Sequence, residues 1–168
     1  MSGENESGEL VDPDIDLRVP AQRRELARSH GVVLLVIAIG GGLGAISRYG
    51  LAELLPAGPG EFPVATFLTN VAGCFLIGVL MVLITETFSA HYLVRPFLGV
   101  GFLGGFTTFS TYAVETRGLL TPGSIGVAFG YLAGTLLCAM FAVIGGVWLT
   151  RTVTSGREAV RHREGARS

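Results

Sequence analysis

An amide, a cluster of hydroxyls and a pair of aromatic rings stand where the surrounding chain is otherwise apolar. Asn70 lies in "TFLTNVAGCF", and "GFLGGFTTFSTYAVE" spans residues 101–115. Between Gly101 and Thr111 this second run carries three glycines and four hydroxyl side chains. The Asn70 amide offers two donors and an acceptor, suited to a small anion or to a bond between helices. Ser110 and Thr111 add hydroxyl donors. Phe109 and Tyr112, at i and i+3, share one helix face, and aromatic edges carry the positive part of the ring quadrupole. Gly101, Gly104 and Gly105 followed by Thr107 and Thr108 make a weak helical core, since glycine costs about 1 kcal/mol relative to alanine. A break near Gly104–Thr107 would free carbonyl oxygens, hard ligands for a small cation, and discontinuous helices recur at ion sites. Taken singly, Asn70 also fits an ordinary interhelical bond and the glycines fit close packing.

Other reactive residue types suggest little. Cys74 and Cys138 fall inside apolar runs and read as small packing residues. His30, His91 and His162 are too far apart in sequence for a metal cluster, and no nucleophile–base pair is visible, which argues against an enzyme. Gly40-x-Gly42-x-x-Ala45 loosely matches a dinucleotide-binding pattern, but that pattern needs a preceding strand in a soluble α/β unit.

The elements that must position these groups are membrane helices. The 168 residues are 49% hydrophobic and 15% charged, well below the roughly 25% charged residues of soluble domains. Mean hydropathy is +0.57. Apolar segments run over about 32–55, 62–85, 93–120 and 124–149. Crossing a hydrocarbon core of about 30 Å takes roughly 20 helical residues, so each is long enough. The connections "PAGPGE", "ETFSAHY" and "TPGS" are short, which predicts antiparallel neighbours and both termini on one side. Asn70 then lies roughly 12 Å past Phe62 at 1.5 Å per residue, close to the bilayer centre. The pairs Gly40/Gly44 and Gly101/Gly105 and the series Gly126/Gly130/Gly134 permit close helix approach in lipid. Residues 1–31 read as a polar, mostly disordered tail with a helical tendency near "AQRRELARS", 32–150 as the membrane domain, and 151–168 as a basic tail. The first apolar run starts late and lacks a small-residue cleavage site after it, unlike a secretory signal.

Charge orients the chain. Every cation is arginine; ten of these lie in the tails or near the second connection, against Arg48 and Arg117 on the opposite side. The positive-inside rule predicts cytoplasmic termini in a plasma membrane. Arg48, late in the first helix, could snorkel to the interface or sit in a vestibule that gathers anions.

"GGGLGAISRY", "NVAGCFLIG" and "GFLGGFTTFSTYAVE", in this order and at these spacings, resemble the CrcB/Fluc fluoride channels over residues 32–150. The resemblance implies an all-α membrane protein of four transmembrane helices, the third broken near its centre, assembled as an antiparallel dual-topology dimer. It implies passive export of fluoride and a structural sodium ion held at the dimer centre by the carbonyls of Gly104 and Thr107. Asn70 matches the family's pore asparagine, Phe109 its first pore phenylalanine and Tyr112 its second. Thr135 is similar to the hydroxyl track of the fourth helix, with Ser110 a further donor. Arg48 and Glu115 match the helix-end pair. Tyr112 in place of phenylalanine, and Ala139 where the track's next hydroxyl would fall, depart from the pattern. Either departure could slow conduction or mark a degenerate second pore.

A strong charge bias sits awkwardly with a chain that must insert both ways. It favours pairing with an oppositely oriented homologue over a homodimer. Two other functions remain in view at this point, a small proton-coupled multidrug exporter and a non-conducting membrane scaffold. The exporter needs a carboxylate in mid-span, where this chain has none; the scaffold needs none of Asn70, Phe109 and the hydroxyls.

Overall fold

The computed structural model describes residues 20–87 and 92–165. The expectations for the first 19 residues, including Arg18, and those for His91 and Arg167 lie outside the described residues. The chain divides into two units, residues 1–35 and 36–168. All regular elements among the described residues are helical. Helix α1 is Pro20–Leu54, its first sixteen residues in the first unit and the rest in the second. Proline suits a first helical position, because its missing N–H would have no partner there anyway. Helix α2 is Val64–Val82 and continues as a wider π-helical turn over Leu83–Thr87. The third span starts as a π-helix, Arg95–Phe102, and tightens to one α-turn, Leu103–Phe106; together these form α3. Helix α4 is Ser110–Leu119 and α5 is Ile125–Gly165.

Among the described residues, four stretches are long and apolar enough to cross a membrane: Gly31–Leu54, Val64–Glu86, Arg95–Leu119 and Ile125–Ser155. They agree with the apolar segments read from the sequence to within a few residues, except that α5 stays helical well beyond residue 149. Gly60 and Gly123 turn the chain between spans with φ of 81° and 105°, left-handed values that glycine adopts without a Cβ clash.

Within the second unit, close backbone approach sets the packing. A Cβ at Gly40 would lie 2.6 Å from the Phe97 carbonyl oxygen, and one at Gly101 would lie 2.8 Å from that of Ile37. Gly44 faces the Phe102 carbonyl, and Gly105 faces that of Gly41, more tightly still. On the other side, Gly78 of α2 meets Val143 of α5, and Gly146 of α5 meets Phe75 of α2. Lipid tails are as apolar as the helices, so van der Waals contact of this kind is what holds membrane helices together. The pairs Gly40/Gly44 and Gly101/Gly105 thus meet as their spacing predicts. Gly126, Gly130 and Gly134 meet nothing within 4 Å, so that series is not used inside the chain.

The third span is interrupted at the C-terminal end of the expected Gly104–Thr107 stretch. Gly104 and Gly105 remain helical, the helix stops at Phe106, and Thr107 is extended with ψ of 157°. Helix resumes at Ser110. Glycine spacing here serves the approach of α1, and the break falls at the threonines that follow.

Candidate functional site

Thr107, Thr108 and Phe109 fall outside regular helix in the middle of a span, where backbone groups must find partners within the protein. Asn70 of α2 supplies both partners for Thr108. Its Nδ2 donates to the Thr108 carbonyl at 2.9 Å, and its Oδ1 accepts from the Thr108 N–H at 2.9 Å. One Nδ2 hydrogen remains uncommitted after these two bonds. The asparagine is therefore both a splint for the broken helix and a source of one free donor.

The same substitution of partners liberates carbonyls. In an unbroken helix the Thr108 N–H would bond to the Gly104 carbonyl, and the Thr111 N–H to that of Thr107. Here the first goes to Asn70, and the second goes to Thr108 Oγ1 at 3.1 Å, capping α4. Gly104 and Thr107, the two positions expected to bind a cation, thus lose their helical donors. The Gly105 carbonyl between them accepts from Arg48 Nε at 3.2 Å. Arg48 is half-buried and ties α1 to the broken segment, rather than only reaching to the interface.

Hydroxyls cluster at the break. Thr108 Oγ1 lies 3.0 Å from Thr111 Oγ1 and 3.3 Å from Ser110 Oγ. Thr107 Oγ1 donates to the Leu103 carbonyl at 2.9 Å. Ser110 is exposed, and Phe109 is 80% exposed, its ring 5.8 Å from that of Tyr112. Tyr112 is buried, and its hydroxyl donates to the Leu132 carbonyl of α5 at 2.6 Å. That proton is committed, so Tyr112 presents ring, not hydroxyl, to the space beside it.

Beneath these groups lies a cavity of about 390 Å³ between α2, the broken span and α5. Asn70, Phe109, Tyr112 and Thr135 all line it, as do Gly104 and Thr107. Thr135 is only 4% exposed, and its Oγ1 has no hydrogen-bond partner among the described residues. Buried hydroxyls are nearly always paired, so an unpaired one on a cavity wall points to an occupant.

Glu115 stands apart from this cavity. Its two carboxylate oxygens accept from Thr66 Oγ1 at 2.9 Å and from the Tyr131 hydroxyl at 2.7 Å. Tyr131 is fully buried, with its ring 5.1 Å from Tyr112 and 5.2 Å from Phe62. Sequence reasoning missed Thr66, Tyr131 and the cap at Thr108. Thr66 precedes Asn70 by one turn on the same face of α2, and a tyrosine inside an apolar helix must find a partner for its hydroxyl. Those two signals could have found them.

Comparison with known proteins agrees with this architecture. Residues 35–147 match the family described as CrcB-like protein, camphor resistance (CrcB). The chain is 56% identical over 122 residues to the fluoride-specific ion channel FluC 2 of Nocardia farcinica, covering 73% of this chain and 87% of that one. It is 52% identical over 125 residues to the protein of the same name from Streptomyces avermitilis, covering 74% and 79%. With the fluoride-specific ion channel FluC 1 of Streptomyces coelicolor it shares 47% over 143 residues, covering 85% and 93%. A matched region that reaches into every membrane span, and relatives aligned over most of their own length, mean that the chain belongs to the CrcB/FluC family of fluoride-specific ion channels.

Proposed function

We propose that this protein is a fluoride channel that lowers cytoplasmic fluoride by passive export, and that the cavity beside Asn70 is part of the ion's path. The observation that carries the reading is the buried Thr135 hydroxyl without a partner among the described residues. Fluoride is small and strongly hydrated, so a path that admits it must replace lost water with close donors. Thr135 and the second Asn70 N–H are such donors, Ser110 stands ready at the mouth of the break, and the edges of Phe109 and Tyr112 supply weaker positive contacts. Arg48 adds a fixed positive charge that favours anion entry, while Glu115, held by Thr66 and Tyr131, fixes α4 against its neighbours. No step in this scheme makes or breaks a covalent bond, as befits a channel.

The donor set at the break suits a sodium ion. The carbonyls of Gly104 and Thr107 have lost their helical partners and are hard oxygen ligands, the class that small hard cations take. When bound there, sodium supplies fixed positive charge and neutralises the freed carbonyls. Exposure of Gly104 and Phe109 on the single chain suits a partner subunit at this face. That partner is an antiparallel second copy, or an oppositely oriented homologue, which the arginine bias favours. The same bias places both termini of this chain in the cytoplasm.

Fluoride efflux from liposomes containing this chain alone, read by an electrode, tests the proposal. Efflux with chloride retained is the expected result. Silence both alone and with a co-expressed homologue of opposite orientation would overturn it.

A further inference from the structure

Cys74 lines the same cavity, and neither the fluoride reading nor the break in the third span uses it. It follows Asn70 by four residues on α2, so the two side chains stack on one helix face about 6 Å apart along the axis. Thr135 and Ala139 repeat that spacing on α5, and both also line the cavity. Cys74 is thus one turn beyond Asn70 on the cavity wall, and Ala139, one turn beyond Thr135, adds no polar atom. Thr107 also lines the cavity, with its methyl against Gly73 and its hydroxyl committed to Leu103. Cys74 is a free, half-buried cysteine.

A lone thiol would mean little without evidence that the space beside it takes a ligand. Thr135 supplies that evidence independently, being 96% buried with an unpaired Oγ1 on the wall of the same cavity. We propose, resting on the reading of this cavity as the anion path, that the Cys74 thiol is a wall group of the path and a binding site for soft metal cations, whose capture there closes it. Thiolate sulfur is the side-chain ligand that soft cations select. A coordinating metal deprotonates a thiol outright, so capture needs no free thiolate beforehand. With mercuric chloride the S–H bond breaks and an S–Hg bond forms, while a proton and one chloride leave to water. No electrons are transferred. A cavity of about 390 Å³ admits the ion with its remaining ligand. Cys138 lies exposed on α5 outside this cavity and serves as an internal control.

The test uses the full chain in liposomes, with its homologue if flux requires one, as wild type, Cys138→Ser and Cys74→Ser. Fluoride efflux is read before and after micromolar mercuric chloride, and mercury bound per chain is measured by mass spectrometry. Wild type and Cys138→Ser should each lose about tenfold or more of their own metal-free rate and recover it with dithiothreitol, whereas Cys74→Ser stays within about twofold of its own. Equal block of Cys74→Ser would overturn the proposal, as would undiminished efflux in Cys138→Ser whether or not mercury is bound to Cys74. Absence of efflux before any metal is added, with and without the homologue, would instead refute the anion path itself.

Discussion

A hydroxyl buried without a partner costs about 1–3 kcal/mol, and Thr135 has none among the described residues, a deficit that a hydrogen-bonding occupant of the cavity would offset. Replacing it with the isosteric valine separates stability from conduction. Thr135→Val should hold or raise resistance to unfolding in detergent, by up to about 1 kcal/mol, because no protein bond is lost. The same change should cut fluoride efflux by about tenfold, since a close donor leaves the path. Thermal unfolding and electrode traces on one preparation check both halves; a variant that unfolds early would argue for a purely structural threonine. Asn70 behaves in the opposite way. Asn70→Ala removes both bonds to Thr108 and strands a donor and an acceptor in mid-span, so it should cost about 2–4 kcal/mol and lower flux as well. Urea or thermal midpoints against wild type measure that loss.

At the scale of elements, two adjacent glycines of α5 offer a sharp contrast. A Cβ at Gly146 would strike the Phe75 carbonyl of α2, whereas one at Gly145 meets nothing within 4 Å. Gly146→Ala should therefore push α2 and α5 apart and destabilise the fold by about 1–3 kcal/mol. Gly145→Ala should be neutral or stabilising by up to about 1 kcal/mol, because alanine is the better helix former. Thermal midpoints of the two purified variants decide the matter. The break in the third span follows similar logic. Several of its backbone groups are reassigned, the Thr108 N–H and carbonyl to Asn70, the Thr111 N–H to the Thr108 hydroxyl and the Gly105 carbonyl to Arg48, while the Gly104 and Thr107 carbonyls lose their helical donors. Such a segment keeps its shape only while its neighbours remain in place, which is why the glycine contacts of α1 matter to a site they do not line.

For the whole molecule, charge and the freed carbonyls lead to two expectations. Ten of the twelve arginines lie in the tails or near the second connection, so this chain should insert in one direction. An impermeant thiol reagent applied to intact cells should fail to label a Ser168→Cys tail in a cysteine-free background until the membrane is opened. Labelling of about half the molecules beforehand would show dual insertion and favour a homodimer. Replacing sodium with a large organic cation should lower the thermal midpoint of the assembled channel and slow fluoride efflux, because the Gly104 and Thr107 carbonyls would lose their counter-charge. An unchanged midpoint would remove sodium from the account. By contrast, the exposed Arg151–Glu86 pair, 2.5 Å apart, is screened by solvent and should contribute little, so Glu86→Gln should leave unfolding nearly unchanged.

Length and hydropathy alone determined the four spans, because a bilayer imposes one thickness on every crossing helix and the count of apolar residues reads it directly. The glycine spacings of α1 and α3 were legible for a related reason: residues four apart on a helix share a face whatever lies opposite. Asn70 stood out because polar groups at depth are costly, whereas Thr135 entered only through the resemblance to the fluoride channels. What they bond to was not legible. Whether Asn70 serves an ion or a backbone, whether the Tyr112 hydroxyl is free or committed to Leu132, and whether Gly126 packs or stays bare all depend on partners far away in sequence. The break was legible only to within a few residues: the glycines pointed to Gly104–Thr107, and the helix stops at Phe106. Glycine weakens a helix locally, but the helix ends where outside groups capture its hydrogen bonds, and Asn70 reaches the Thr108 backbone across 38 positions of sequence. Only the packed structure brings those groups together.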